Sequence, residues 1–490
     1  MIDYSKYKTS QASPEASSMI ENLRAIGYST ETAIADIIDN SISALSKNIW
    51  IDYEWKGPET IISIMDDGFG MNSKEIIDAM RPGSKNPNAI RELSDLGRFG
   101  LGLKTASFSQ CRKFSVISKR EKEYPSFWCW DIDYVNIVKD WSLLEFCPDD
   151  HFLTKISGLN SGTIVIWWEL DRITKDTSTD SEESIDKFLT IMENVKKHIA
   201  MVFHRFISEG LNIYFRDKRI EGWDPFMIGY EGLQTKPEVK LNSGKVSIKG
   251  YILPHRSKLS EKEYNYGKGP KDSWTAHQGF YVYRNKRMLV AGDWLGYFKK
   301  EVHYDLCRIS IDLPNNNDSD WQIDIKKSVA RPPLKFKEQI NAVAKDVRVQ
   351  ALEVYRFKGK VIRKRHSSEE YYPVWQEMIR HGKRFYKINR DHPIVKSCLD
   401  IDNGEKKHDV ELLLQFIEET IPVPIITLNE NQNEIPHIQP FEGTSHNPVK
   451  ETMNKMYDNL IINGKTPQEA TAIILNIEPF NLYPEYITLQ

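Results

Sequence analysis

Ala33-Ile34-Ala35-Asp36-Ile37-Ile38-Asp39-Asn40-Ser41, with Asp66-Asp67-Gly68-Phe69-Gly70-Met71 and Gly97-Arg98-Phe99-Gly100-Leu101-Gly102-Leu103-Lys104 following it, decides how this chain is read. Ile34, Ile37 and Ile38 of the first piece, with Leu45 just beyond it, form an apolar stripe at helical spacing. This predicts a helix over 30–45, with Ser29 or Thr30 as its N-cap. Asp36 and Asn40 stand four residues apart and share another face. An asparagine oxygen suits Mg2+, a hard cation that prefers oxygen ligands. A carboxylate beside it can polarise an attacking water. Taken alone, the pattern also describes an amphipathic surface helix with its polar face in water.

The second piece follows a predicted strand over 60–65. A buried Asp66 there can accept a hydrogen bond from an adenine amino group, and Gly68 and Gly70 allow close approach and positive φ. A plain strand-to-helix turn is the competing reading. An EF-hand is a poor fit, because no further acidic ligands follow at the required spacing. In the third piece, three glycines precede a helix-like segment, and backbone N–H groups at a helix start cradle phosphate. Lys104 adds a point charge. The spacing is not that of a Walker A loop, and no strand immediately precedes it as a dinucleotide fingerprint requires. In this order the three pieces read as one nucleotide site.

Four ordered motifs carry a resemblance to the GHKL ATPase superfamily of gyrase B, large heat-shock chaperones, MutL and histidine kinases, and within it to the MORC-like branch and its prokaryotic relatives. The acid-and-asparagine motif falls on Asp36 and Asn40. The Asp-x-Gly-x-Gly motif falls on Asp66, Gly68 and Gly70, with Met71 beside it. The glycine lid falls on Gly97, Arg98, Phe99, Gly100, Leu101, Gly102 and Lys104, and Gly162-Thr163 supplies the fourth motif. The resemblance covers roughly 14–331. It implies ATP and Mg2+ as ligands, with Asn40 on the metal, Asp36 as general base, and Thr163 supporting the adenine through Asp66. It also implies a second, transducer domain that sends one lysine to the γ-phosphate. Trp321-Gln322-Ile323-Asp324-Ile325-Lys326-Lys327-Ser328 resembles that segment, and Lys327 is favoured over Lys326. One residue departs from the family: hydrolysing dimeric members usually carry Glu where Asp36 stands. Aspartate withdraws the carboxylate by roughly 1.5 Å, one carbon–carbon bond, which implies slow turnover.

The implied fold class is α+β: a Bergerat-type ATP-binding α/β sandwich over 1–208, a transducer-like α/β domain over 209–357, and a mixed C-terminal region over 358–490. Strands are predicted at 49–55, 60–65, 113–119 and 162–169, and a long helix at 184–208. Strands at 212–216, 245–253, 279–283 and 308–313 are assigned to a second unit beginning near Leu211. The stretch 258–273 reads as an exposed loop, 334–355 as a helix, 429–447 as a polar linker and 448–463 as a terminal helix. The loop 82–97 has no steady period.

Composition sets wide bounds. With 490 residues, more than one core is expected. Hydrophobic content of 40% and charged content of 28% are those of a globular protein. A net charge of −3 excludes a globally basic nucleic-acid coat but not a local basic surface. Five cysteines without a CxxC pair, and no visible signal peptide, are expected of a cytoplasmic protein. No apolar run is long enough for a membrane helix. Basic stretches at 356–366 and 380–390, the second interleaved with Phe385 and Tyr386, make DNA a candidate partner. By resemblance, ATP closes a homodimer, and prokaryotic relatives are similar to proteins of restriction and phage-defence loci, with their partner complexes. The alternatives are a non-hydrolysing ATP-binding scaffold, a histidine-kinase-like phosphotransferase and a MutL-like nuclease subunit.

Overall fold

The computed structural model describes all residues except 1–5, 9, 11, 84–101, 176, 180, 243, 315–320, 323–329, 358–371, 381–382, 401–403, 423–446 and 481–490. The chain divides into two units, Met1–Ala351 and Leu352–Gln490.

The first unit opens with helices α1 (Ala16–Arg24) and α2 (Thr30–Ser43). The Ser29 side chain caps α2 by accepting from the Thr32 N–H. Strands β1 (Asn48–Glu54) and β2 (Ile61–Asp66) pair antiparallel, and α3 (Ser73–Met80) follows, started by an Asn72/Glu75 capping box. Then come α4 (Gly102–Phe108), β3 (Lys113–Lys119), β4 (Ser126–Asp131), α5 (Ile132–Val138), α6 (Asp150–Ser157) and β5 (Gly162–Trp168). The helix predicted over 184–208 is two helices, α7 (Glu182–Val202) and α8 (His204–Ser208), broken at Phe203.

With β6 (Asn212–Phe215) and β7 (Lys218–Arg219), these strands make a seven-stranded sheet of order β4-β3-β5-β2-β1-β6-β7. β6 pairs in parallel with β1. It therefore belongs to this sheet rather than to the second unit in which the sequence placed it. Alternation along β3 and β5 shows that both faces of the sheet are covered. Phe114, Val116, Val165 and Trp167 enter the main core with residues of α1, α2 and α7. Ile117, Ile164 and Ile166 join a smaller cluster with Phe152 and Ile156 of α6. A strand buried on both faces reads as the continuous apolar run seen at 164–168.

The second sheet holds β8 (Gln234–Thr235), β9 (Val239–Leu241), β10 (Val246–Ile252), β11 (Gly279–Arg284), β12 (Arg287–Asp293) and β13 (Cys307–Leu313). Its order is β12-β11-β13-β10-β8, with β9 also on β10. Asn285 and Lys286, both at positive φ, close the two-residue β11–β12 hairpin. Part of the stretch read as an exposed loop is helix α9 (Glu261–Lys268). Helix α10 (Lys337–Phe357) buries Ile340, Ala344, Val347 and Ala351, one helical stripe. It packs so closely on β10 that a Cβ at Gly250 would lie 2.4 Å from Val347 Cγ2.

The two sheets of the first unit share one hydrophobic cluster. Phe203, Trp223, Phe226, Tyr251, Tyr281, Tyr283 and Met288 join it from the junction and second sheet. His204 and the Tyr283 hydroxyl share a 2.9 Å hydrogen bond, and Arg205 stacks 3.4 Å over the Tyr283 ring while pairing with Asp312.

The second unit is built from a hairpin, β14 (Trp375–Arg380) with β15 (Lys383–Ile388), and helices α11 (Pro393–Leu399), α12 (Gly404–Glu419), α13 (Asn447–Ile462) and α14 (Pro467–Leu475). Val449, Met453, Ile474, Ile477 and Phe480 form its core.

Arg24 ties the N-terminal helix down. Its side chain is 2% exposed, and Nη1 donates to the Phe108 and Cys111 carbonyls at 2.9 and 2.7 Å, capping the end of α4. Nη2 donates to Asp171 at 2.5 Å. Arg24→Met is expected to lower stability by about 3 kcal/mol, because it strands two buried carbonyls and one carboxylate. The urea-unfolding midpoint, followed by tryptophan fluorescence, measures the loss.

Candidate nucleotide site

The site is organised around the end of β2. Asp66 is 6% exposed, and its carboxylate is held from two sides. Ser41 of α2 donates to Oδ2 at 2.8 Å, and the Gly68 N–H donates to Oδ1 at 2.9 Å. Burial pushes the Asp66 carboxyl above its ordinary value, with the hydrogen bonds from Ser41, Gly68 and Ser46 pulling the other way. Ser41 lies one residue beyond Asn40, so the bond locks the metal-motif helix to the strand end that carries the second motif.

Asp36 is 2% exposed, and its Oδ2 accepts from the Tyr28 hydroxyl at 3.0 Å. Gly102, the first residue of α4, lies beside it: a Cβ there would be 3.7 Å from the same oxygen. Asn40, four residues along the helix, is exposed. The fourth motif joins through strand register. Asp66 stands opposite Thr163 in β2–β5, and Ser118 stands opposite Thr163 in β3–β5. The Ser118 and Thr163 hydroxyls lie 2.8 Å apart, and the Ser118 Oγ also accepts from the Met71 N–H at 2.8 Å. Residues of all four motifs thus meet along the Asp66 end of the sheet.

Some residues do other work. Gly70 has φ +67°, and a Cβ there would lie 1.9 Å from the Lys119 carbonyl oxygen. Glycine is therefore required by the neighbouring strand, whatever it does for a ligand. Gly68 packs on Ala44 and Ser46, its added Cβ meeting them at 2.7 and 2.9 Å. Lys104 is buried, its ammonium donating to the Ala79 carbonyl of α3 at 2.9 Å. Gly97, Arg98, Phe99, Gly100 and Leu101 lie outside the described residues, as do Lys326 and Lys327. The ends of the lysine segment are described: Trp321 is fully buried, and its carbonyl accepts from the Arg331 N–H at 2.7 Å.

Tyr28, Ser41 and Ser118 are the residues that sequence reasoning missed. Ser41 was available as the neighbour of Asn40. Ser118 was a polar residue closing the apolar run of β3, and Tyr28 carried no signal of its own. The exposed Asn40 offers one amide oxygen, a donor that fits a hard cation such as magnesium, which takes few protein ligands.

A buried acid at a strand end, a glycine-lined approach and a polar helix face are elements from which an adenine-nucleotide site can be built. Residues 28–163 match the family of histidine kinase-, DNA gyrase B- and HSP90-like ATPases. Residues 28–163 therefore carry a domain of the GHKL ATPase superfamily, and a MORC protein is among the relatives of the chain. It is 20% identical over 239 residues to the DNA mismatch repair protein MutL of Endomicrobium trichonymphae, covering 48% of this chain and 38% of the relative. It is 25% identical over 241 residues to MutL of Buchnera aphidicola subsp. Schizaphis graminum, covering 48% and 36%. ATPase morc-1 of Caenorhabditis elegans is 29% identical over 90 residues, covering 18% and 10%. The chain therefore spans less than two-fifths of the length of each of these relatives. Among solved structures, the ATPase and transducer domains of DNA topoisomerase II from Balamuthia mandrillaris align with a TM-score of 0.38 at 10% identity, covering 67% of this chain and 86% of that one. Among the described residues, no helix is long and apolar enough to cross a membrane, and no three His, Cys, Asp or Glu side chains cluster as a metal site.

Gly70→Ala is expected to destabilise the protein by more than about 1 kcal/mol, since the side chain meets both a carbonyl and a left-handed backbone. Gly83→Ala is the control, with positive φ but nothing within 4 Å of the added carbon. Thermal unfolding of the two variants separates the packing cost from the backbone cost.

Proposed function

We propose that this chain is an ATP-dependent dimerising clamp that binds ATP with Mg2+, hydrolyses it slowly, and acts on DNA or on a DNA-processing complex. A place in phage defence or restriction is part of the proposal. The observation that carries it is the meeting of four ordered motifs through Ser41–Asp66, Asp36–Gly102 and Ser118–Thr163. In this reading Asp66, supported by Thr163, accepts from the adenine amino group, with Gly68, Gly70 and Met71 lining the base. Gly97, Arg98, Phe99, Gly100, Leu101 and Gly102 form the lid over the phosphates, while Lys104 holds the Ala79 carbonyl of α3. Asn40 holds the magnesium, which supplies charge neutralisation for the phosphates. Asp36 takes a proton from the attacking water, whose oxygen bonds to the γ-phosphorus as ADP leaves. Lys327, from the transducer-like region 209–357, meets the γ-phosphate in the closed dimer. Closure is driven by the nucleotide's greater affinity for the closed state.

DNA as the target is supported by the basic tracts and by the name of the mismatch-repair relatives. The β14–β15 hairpin adds half-exposed Trp375 and Tyr386 beside exposed Lys387, the aromatic-and-cation mixture that single strands and backbones favour. Arg390, by contrast, is paired with Glu418 at 2.6 Å. The deciding experiment sizes the protein with and without a non-hydrolysable ATP analogue, each with and without DNA. A dimer that needs the analogue, and a DNA complex that needs the dimer, are expected. A monomer under every condition overturns the clamp. The scaffold is the second reading, favoured by the short acid Asp36 and its existing bond to Tyr28.

Asp66→Asn is expected to weaken ATP binding by about 5- to 150-fold, because an amide can present a donor where an acceptor is required, a buried mismatch of about 1–3 kcal/mol. In the wild type, affinity should hold at neutral pH and fall on acidification at a pH above that of an ordinary aspartate, since the folded carboxyl is raised. Isothermal titration calorimetry across pH reads both effects.

Lys327→Ala should cut turnover far more than ATP affinity, since its contact forms only on the way to the transition state. Lys326→Ala should be mild. Asp36→Asn should bind ATP and remain closed without turnover. Steady-state phosphate release, with sizing alongside, distinguishes these outcomes: equal turnover of Asp36→Asn and wild type would remove Asp36 from the catalytic role, and a wild type that binds ATP without turnover would favour the scaffold.

A further inference from the structure

Asp39 directly precedes Asn40, yet the two residues face different surroundings. Asn40 is exposed, whereas the Asp39 side chain is 1% exposed. Successive helical residues point about 100° apart, so one helix presents Asn40 outward and Asp39 into the junction with the second sheet. There it meets Arg287, the first residue of β12, whose side chain is 5% exposed. Arg287 Nε donates to both Asp39 oxygens at 3.3 Å, and Nη1 donates to the Met288 carbonyl at 2.5 Å. The guanidinium lies 5.5 Å from the centre of the Phe203 ring, at the break between α7 and α8. Nearby His198 on α7 is pushed down to about 3, chiefly by burial and then by Arg287, so it is neutral at pH 7.

A buried ion pair is a poor way to gain stability, because desolvation offsets most of the attraction and an apolar pair of similar volume does as well. What the pair does supply is direction. It fixes one side of α2 to the edge of the second sheet, one residue from the position proposed to hold magnesium. We propose that Asp39 and Arg287 are a positioning pair that couples the nucleotide helix to the β11–β12 hairpin. This rests on the ATP reading of the same helix. When nucleotide and metal restrain Asn40, the restraint passes through Asp39 to β12 without any contact between β12 and the ligand.

The test is hydrogen exchange of the full chain with and without a β,γ-imido ATP analogue and Mg2+. In the wild type, the analogue should slow exchange by tenfold or more in Gly279–Arg284 and Arg287–Asp293, as well as around Asp66. Arg287→Gln should keep analogue affinity within about threefold and lose the slowing in the hairpin, while the protection around Asp66 remains. Arg287→Lys, which retains the charge, should restore part of it. A residue that only held the fold together would change exchange equally with and without nucleotide, so the nucleotide-dependent difference is the diagnostic quantity. If Arg287→Gln does not fold, the doubly neutral Asp39→Asn/Arg287→Gln, which removes both charges of the pair together, gives the same reading. Hairpin protection that persists in these variants overturns the coupling. So does an analogue that binds wild type and protects only the residues around Asp66. An analogue that fails to bind wild type overturns the nucleotide reading, and the coupling with it.

Discussion

The hydrogen bond from Ser41 to Asp66 joins a helix to the end of a strand, and the arrangement of the candidate nucleotide site follows from it. Asp66 is nearly sealed from water, so its charge has to be met by donors that the fold brings to it. Those donors come from α2 and from the turn after β2. They also fix the azimuth of α2. With Ser41 turned toward Asp66, Asp36 faces Tyr28 and Gly102, Asn40 faces outward, and Asp39 is left to meet Arg287. The orientation of one helix thus places four polar residues in four different surroundings.

Much of this was legible in the sequence because it depends on local periodicity. The apolar stripe at Ile34, Ile37 and Ile38 and the cap at Ser29 marked α2. The unbroken run 164–168 marked β5, buried on both faces. The order of the motifs brought their residues together before any geometry was known. Helix α9 escaped notice because Glu261–Lys268 has no apolar face, although Ser260 and Glu263 spell a capping box. β12 was missed because it starts at a charged residue after an Asn-Lys turn, which is a weaker hairpin signal than Asn-Gly.

What could not be read were contacts set by register or by distance along the chain. Ser118 serves Met71 and Thr163 only because β3 and β5 pair with Ser118 opposite Thr163. Gly70 looked like a residue for a purine, yet its backbone is dictated by a carbonyl of β3. Asp39 and Arg287 are 248 positions apart, and no spacing rule connects them. β6 was assigned to the wrong sheet for a similar reason: a short strand can be recognised locally, but its partner cannot.

The shared hydrophobic cluster between the two sheets determines how the first unit folds and can be divided. Trp223, Phe226, Tyr281, Tyr283 and Met288 are buried in the same cluster as α2 and α7, and each such side chain contributes about 1.5–3 kcal/mol by burial. Five of them amount to about 10 kcal/mol, the whole net stability of a typical domain. Separating the sheets would cost as much as unfolding one of them, so the pair belongs to a single cooperative folding unit. A fragment cut after Ser208 would lose β6, the parallel partner of β1, and leave aromatic surface facing water. Such a piece should aggregate rather than stand as a free nucleotide-binding module.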